Sequence, residues 1–178
     1  MAATKIYCNV EDHRLFDKSG GATDKVLIED VTKVGLPTIK HTITNIKSAG
    51  MAMDIDMPNE THLEAMDFTI YHNNGVDCKR LANPGKHNIE FRIARQRYDI
   101  AGAVIGHESV KYIIEGAHAE SQKGDIETGS PYGTTEKYSI IKYTEIVNGE
   151  TTVDIDATAH KITINGSEYY DSIEKLLS

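Results

Sequence analysis

The chain has 178 residues, of which 39% are hydrophobic, and its formal net charge is −8. A chain of this length predicts one compact domain, and its acidic balance argues against binding of nucleic acid through a basic patch. Trp is absent, so the predicted core consists mainly of Ile, Val, Leu and Met.

The cysteines and the first residues bear on localisation. Cys8 and Cys78 have neither CxxC spacing nor the density of a secreted scaffold, which favours free thiols in a reducing cytoplasm. Lys5 and Glu11 interrupt any apolar signal core, and no apolar run approaches the roughly 20 residues of a membrane helix. We therefore expect a soluble protein without a membrane anchor.

The first part of the chain changes from polar to alternating. Residues 1–24 are polar and contain Ser19-Gly20-Gly21, which predicts an irregular N-terminal arm. Residues 32–46 alternate between apolar and polar positions and are rich in β-branched side chains, as is typical of a strand.

Residues 49–71 carry the clearest pattern. Apolar residues alternate with polar residues over 51–57 and again over 66–71, and Pro58 lies between the two runs. This pattern predicts a long hairpin with a turn at 57–60, one apolar face toward the core and one wet, carboxylate-rich face.

The rest of the chain predicts short strands around one short helix. The helix is expected over 76–82, and a long polar loop over 120–136. Strands are expected over 87–94, 108–119, 137–147, 151–156 and 160–164, followed by one or two helical turns over 169–177. Asn148-Gly149 predicts a tight hairpin turn. The fold class is mainly β, a β-sandwich or rolled barrel.

No catalytic or ligand-binding motif is visible. His107-Glu108 lacks the second histidine of a zinc helix, and the acidic pairs around Ile55 and Ile155 fit the solvated faces of strands better than a metal site. Phosphate-binding glycine loops and a nucleophile elbow are missing. We therefore predict no enzyme activity, no cofactor and no metal, and this points to a structural role.

An ordered set of segments resembles the major tail tube proteins of contractile phage tails (the phage P2 tube protein family). The set runs over nearly the whole chain and comprises Gly35-Leu36-Pro37-Thr38, Ala49-Gly50-Met51-Ala52, the polar hairpin over 53–71, Asn148-Gly149, Val153-Asp154-Ile155-Asp156 and Ile162-Thr163-Ile164-Asn165-Gly166.

The resemblance implies a ring-forming tube fold in a single domain, residues 1–178. It implies a structural subunit whose hexameric rings stack into the inner tube of a contractile tail, in a phage or a phage-tail-like bacteriocin. The implied partners are further copies of the chain, the sheath protein, and the baseplate and tail terminator proteins. DNA, or ions and effectors, would pass through the lumen without specific binding. The implied location is the virion tail or the tail-like particle, assembled in the host bacterial cytoplasm.

The polar sides of the predicted strands supply the lumen-facing candidates. They are Lys40, Thr42, Thr44, Asp54, Asp56, Asp67 and Thr69. The alternative, from another functional class, is a monomeric or dimeric β-sandwich that binds a ligand.

Overall fold

The computed structural model describes residues 5–21, 25–50, 52–74, 78–99 and 104–177. The strands are β1 Lys5–Asp17, β2 Val26–Ile28, β3 Val31–Gly35, β4 His41–Ile46, β5 Ile55–Leu63, β6 Asp67–His72, β7 Lys86–Asp99, β8 Val104–Lys123, β9 Thr134–Val147, β10 Glu150–Asp156, β11 Lys161–Ile164 and β12 Ser167–Glu168. The helices are α1 Cys78–Leu81 and α2 Asp171–Leu177. The predicted mainly β class is confirmed.

One antiparallel sheet contains every described strand except β4 and β5. Its order is β12-β11-β10-β9-β8-β7-β1-β2, and β6 pairs with β9 and with β3 at the side. β9 is therefore a branching strand: residues 134–139 pair with β6, and residues 142–147 pair with β10.

Both branches of the sheet enclose one core. Phe68 and Ile70 from β6 join Ile155 from β10 and Phe91 from β7 in a single cluster of buried side chains. A sheet whose branches share one core must curl around it, because a flat sheet would leave one branch without a packing partner. The buried residues of β6 confirm the predicted alternation over 66–71.

Tight turns close two hairpins near the end of the chain, and the one at Asn148-Gly149 was predicted. Asn148 and Gly149 have φ of 51° and 89°, and Asn165 and Gly166 have φ of 50° and 79°. Positive φ at both central residues matches the right-handed twist of the flanking strands, which is why Asn-Gly is favoured there.

The predicted irregular arm is wrong for most of its length. Residues 5–17 form the 13-residue strand β1, which pairs with β7 and, at its end, with β2. Only two of its described side chains, Leu15 and Asp17, are buried. Because most of the strand is exposed, its residues are polar and the sequence resembled that of an irregular segment. Residues 1–4 and 22–24 of the arm lie outside the described residues.

The predicted loop over 120–136 is shorter than expected. β8 continues to Lys123 and β9 begins at Thr134, so the connection is 124–133. Polar residues at both ends of the predicted loop belong to strands. Glu136 of β9 is fully buried, and it accepts hydrogen bonds from Ser121 and, at 2.8 Å, from His118 Nε2, both on β8. The predicted helix over 76–82 is observed as α1, and its residues 76 and 77 lie outside the described part.

The predicted hairpin between residues 51–57 and 66–71 does not form. β5 pairs with β4, whereas β6 joins the large sheet. The predicted turn at 57–60 lies inside β5, which runs through Pro58. A proline is tolerated in a strand that has an unpaired edge, since its missing N–H then removes no necessary ladder bond. Met51 lies outside the described residues.

Candidate assembly surface

β4 and β5 form a hairpin that is attached to the body of the subunit only at its base. In the described chain each of these strands pairs only with the other, and no described residue between 41 and 63 is buried. Met53 is 73% exposed, Met57 50% and Ile55 39%. An isolated two-stranded hairpin is marginally stable in water, and exposed contiguous apolar surface marks interaction sites. The hairpin thus presents an exposed, partly apolar surface of the kind found at interaction sites.

The register of the hairpin separates an apolar face from a more polar one. Thr44 lies opposite Met57 and Ile46 opposite Ile55, and cross-strand partners point to the same face. Side chains alternate along each strand. One face therefore holds Thr44, Ile46, Ile55 and Met57, and the other holds Ile43, Asn45, Asp56 and Pro58.

The lumen-facing candidates consequently do not share one face. Thr44 belongs to the apolar face, while Asp56 lies on the other, where it accepts a 2.7 Å hydrogen bond from Asn45 Nδ2. The sequence pattern shows which side chains alternate within one strand. It does not show which residues of two strands lie opposite each other. The expectation that Thr44 and Asp56 point the same way is wrong.

Lysines neutralise much of the negative charge among the candidates. Asp54 pairs with Lys47 at 3.2 Å, and Asp67 with Lys137 at 2.7 Å. The candidate Lys40 pairs with Glu64 at 2.8 Å. This surface is therefore polar and mixed in charge, and the purely carboxylate-rich face predicted from the sequence is not formed.

The remaining candidates lie at the hairpin base and on β6. Thr42 donates a hydrogen bond from Oγ1 to the His62 carbonyl. Thr69 is half-buried on β6 and lies opposite Gly35 and Lys137. Asp67 and Thr69 share the side of β6 that faces away from the core, as predicted, but they belong to a different sheet from Asp56.

A groove of about 290 Å³ marks the point where β9 branches. Ile140 N–H donates to the Met66 carbonyl, and the Ile141 carbonyl accepts from Ala157 N–H, so the two strand partners diverge between these residues. Leu63, Ile155 and Ile162 also line the groove. We call it the fork groove; it lies beside residues 61–66, which carry the hairpin.

Two buried carboxylates fix the body that supports the hairpin. Burial alone would raise the pKa of Glu90, but hydrogen bonds from Lys25, Arg92 and Lys18 lower this pKa to about 2. Burial likewise opposes ionisation of Asp17, whose pKa is lowered by hydrogen bonds from Ser19 and Arg80. Glu90 ties Lys18 and Lys25 to β7, and Asp17 ties the end of β1 to Arg80 of α1.

Neither a metal centre nor a membrane helix is found in the described part of the chain. No three His, Cys, Asp or Glu side chains there converge as a metal would require. Neither described helix is long and apolar enough to cross a bilayer.

Sequence reasoning missed the exposed apolar row of the hairpin. It assigned Met53, Ile55 and Met57 to the subunit core, whereas all three are exposed. Pro58 was the signal that could have shown this, because proline within a strand indicates an edge.

Comparison with known proteins identifies the family. The model of the phage tail tube protein FII family matches residues 23–177, and the chain belongs to this family. No curated protein sequence matches the chain. The resemblance to contractile tail tube proteins is confirmed.

Two solved structures have a similar fold. One is a chain of the sheath–tube complex of the extracellular contractile injection system PVC in its extended state, with a TM-score of 0.51 and 9% identity; the match covers 77% of this chain and 89% of that one. The other belongs to the baseplate of the anti-feeding prophage, with a TM-score of 0.52 and 7% identity, and covers 82% and 97% of the two chains.

Proposed function

We propose that this chain is the ring-forming subunit of the inner tube of a contractile tail, in a phage or a headless tail-like particle. Six copies form a ring, and rings stack into a tube that the sheath surrounds. The tube begins on a baseplate and ends at a terminator protein. The chain carries out no reaction. Its family and the fold of its structural neighbours support this proposal.

The projecting β4–β5 hairpin is the observation that carries the proposal. Among the described residues neither strand has a partner along its outer edge, and the apolar face of the hairpin is exposed. Folding of one subunit therefore leaves strand edges unpaired and apolar surface uncovered. Unpaired strand edges add further strands readily, and closure into a barrel removes them. In a ring, each hairpin pairs with its neighbours' strands, and the apolar face is covered by the bodies of adjacent subunits.

The other hairpin face then lines the conduit. Asn45 and Asp56 face the lumen in this arrangement, while Thr44 packs against a neighbour. The lysine partner of Asp54 keeps this wall from being strongly charged. A wall of paired charges offers few free cations to phosphate, so DNA passes without specific binding. In a headless particle, ions or effectors take the same path.

Assembly of the purified chain tests the proposal. We expect monomers at low concentration, and rings or tubes at high concentration or on a purified baseplate, by size-exclusion chromatography and negative-stain microscopy. A chain that stays monomeric under all of these conditions contradicts the proposal.

The fork groove supports a second candidate, the ligand-binding module. Its volume of about 290 Å³ lies at the lower end of the range for small-molecule sites. Specific, saturable binding of a small molecule by a chain that never assembles would favour this alternative.

A further inference from the structure

Three cations lie side by side on the outer surface of the large sheet. Arg14 of β1 is opposite Arg92 of β7, and Arg92 is opposite Lys111 of β8. Their neighbours Leu15, Phe91 and Tyr112 are buried, so the three cations point away from the core. We call these three residues the cation row. Like charges directly opposite each other destabilise a sheet, which makes this alignment unexpected in a chain of net charge −8.

The subunit's own carboxylates do not neutralise the cation row. Arg92 shares Glu90 with Lys18 and Lys25, so three cations share one carboxylate. Arg14 lies 3.8 Å from Asp12 in a highly exposed pair. In the described part of the chain, Lys111 has no ion pair. The surface therefore carries an excess of positive charge.

A shallow crevice accompanies the cation row. It has a volume of about 220 Å³ and is lined by Arg92, Ser109, Val110, Lys111, Ile146 and Gly149. Ile146 lies opposite Lys111 and continues the row onto β9 as a half-buried apolar side chain. The site thus fits a segment that combines carboxylates with one aliphatic side chain.

The connection 124–133 of this same chain has that chemistry. Asp125 and Glu127 flank Ile126, which is 89% exposed, and the connection contains no Lys or Arg. Gly124 N–H donates to the Gly133 carbonyl at 2.8 Å, and Ser130 N–H to the Glu127 carbonyl at 3.2 Å. These bonds close the loop at its base and across its tip, so it is presented as a compact projection.

The loop and the cation row cannot meet within one subunit. Lys111 and Lys123 are twelve residues apart on β8, which corresponds to up to about 40 Å of extended strand. The loop lies at the end of β8 and the start of β9, whereas Lys111 lies near the middle of β8 and its partner Ile146 lies at the far end of β9. A contact between them in two copies is head-to-tail, and such contacts build open stacks when they do not close on themselves.

We infer that the 124–133 loop of one copy binds the cation row of a second copy in the next ring, with Asp125 and Glu127 on the exposed cations of the row and with Ile126 against the adjoining crevice. This inference rests on the proposed tube, and it assigns the contact that joins one ring to the next. Because both charged surfaces are exposed, the contact weakens as salt screens it.

Charge reversal tests the contact. We expect Lys111→Glu or Glu127→Lys to raise the protein concentration needed for stacking by about tenfold, with single rings still formed. The variant that carries both substitutions should stack at a concentration within about threefold of that of the original chain, because the pair is restored in reversed order. Arg92 is left intact, since it holds Glu90. Lys33→Glu is the control: it makes the same charge change at another exposed lysine of the same sheet that has no ion pair in the described part of the chain, and it should stack normally.

Cross-linking provides a second readout. Tubes assembled from mixed isotope-labelled and unlabelled chains, treated with a zero-length carbodiimide, should yield peptides that join Lys111 of one chain to Asp125 or Glu127 of another. Normal stacking by Lys111→Glu and by Glu127→Lys would overturn the inference and leave the tube intact. Normal stacking with lost sheath attachment would do the same and assign the row to the sheath. If the original chain formed no ring or tube at all, the proposed function would fail together with this contact.

Discussion

Ile46 lies directly opposite Ile55 in the β4–β5 hairpin, and both side chains remain exposed in the folded subunit. Burial of such a pair contributes to stability only when a second surface covers it. Burial of this apolar face can therefore stabilise association with another molecule but not the folded subunit itself. Substitutions in this face should affect assembly without affecting folding.

Replacing Ile55 and Met57 by Thr should abolish ring formation without unfolding the subunit. Thr keeps the β-propensity of the strand while it removes apolar surface. Because both side chains are exposed, we expect the free energy of unfolding to change by less than about 0.5 kcal/mol per site. Urea denaturation and sedimentation velocity measure the two effects. Ile105→Thr, at another exposed isoleucine outside the hairpin, is the control. Loss of stability comparable to a core substitution would show that the hairpin packs on its own subunit.

Shortening the long loop should leave the subunit folded. Gly124 and Gly133 form the hydrogen-bonded pair at its base, so residues 125–132 can be replaced by Asn-Gly as a two-residue hairpin turn. The deletion must not extend to Ser121, because its hydroxyl binds Glu136. We expect an unchanged circular dichroism spectrum and rings that no longer stack in electron micrographs. Long tubes from this variant would contradict a role of the loop in stacking.

Glu90 should make the stability of the subunit depend on pH in the acid range. Its pKa falls from the ordinary 4.5 to about 2 in the folded protein. A lowered pKa stabilises the fold above about pH 4.5, and this contribution is lost as the pH falls from 4.5 toward 2. We expect it to be on the order of 2 kcal/mol, since the three cations are partly exposed. Urea denaturation of Glu90→Gln should show a deficit at neutral pH that disappears near pH 2; a deficit independent of pH would instead indicate a packing effect.

Glu136 should be the most sensitive carboxylate of the body. It is fully buried and receives hydrogen bonds from His118 and Ser121, with Lys123 at 3.5 Å. Glu136→Ala leaves these donors without their acceptor and should lower the free energy of unfolding by about 3 to 5 kcal/mol. Glu136→Gln should cost less because it keeps one acceptor oxygen. Thermal denaturation with the exposed Glu120→Ala as control measures the difference, and equal losses from the Ala substitutions at 120 and 136 would contradict this role.

The sequence predicted local features well and the pairing of distant strands poorly. Asn148-Gly149 gives a turn because the two residues themselves set the backbone, and the alternation over 66–71 gives a buried strand. The alternating pattern of β5 does not show which strand pairs with it. It also does not show whether its apolar side is covered by the same chain or by another molecule. Polar residues such as Glu136 suggested a loop because composition does not show a buried hydrogen-bond network.

The proposed lumen wall can be tested at Asp56. Asp56 lies on the polar face of the hairpin and is bound by Asn45 rather than by a lysine, whereas Asp54 already has Lys47 beside it. Asp56→Lys therefore adds an unpaired cation to each subunit of the proposed ring, and should leave the fold and the tube intact because the side chain is exposed. Free cations attract phosphate, so we expect slower DNA ejection from a phage, or a shift toward anion selectivity in a headless particle. Asp56→Asn, which removes the charge without reversing it, should have a smaller effect. If Asp56→Lys prevents ring formation, Asp56 lies in a contact between subunits and its assignment to the lumen is wrong.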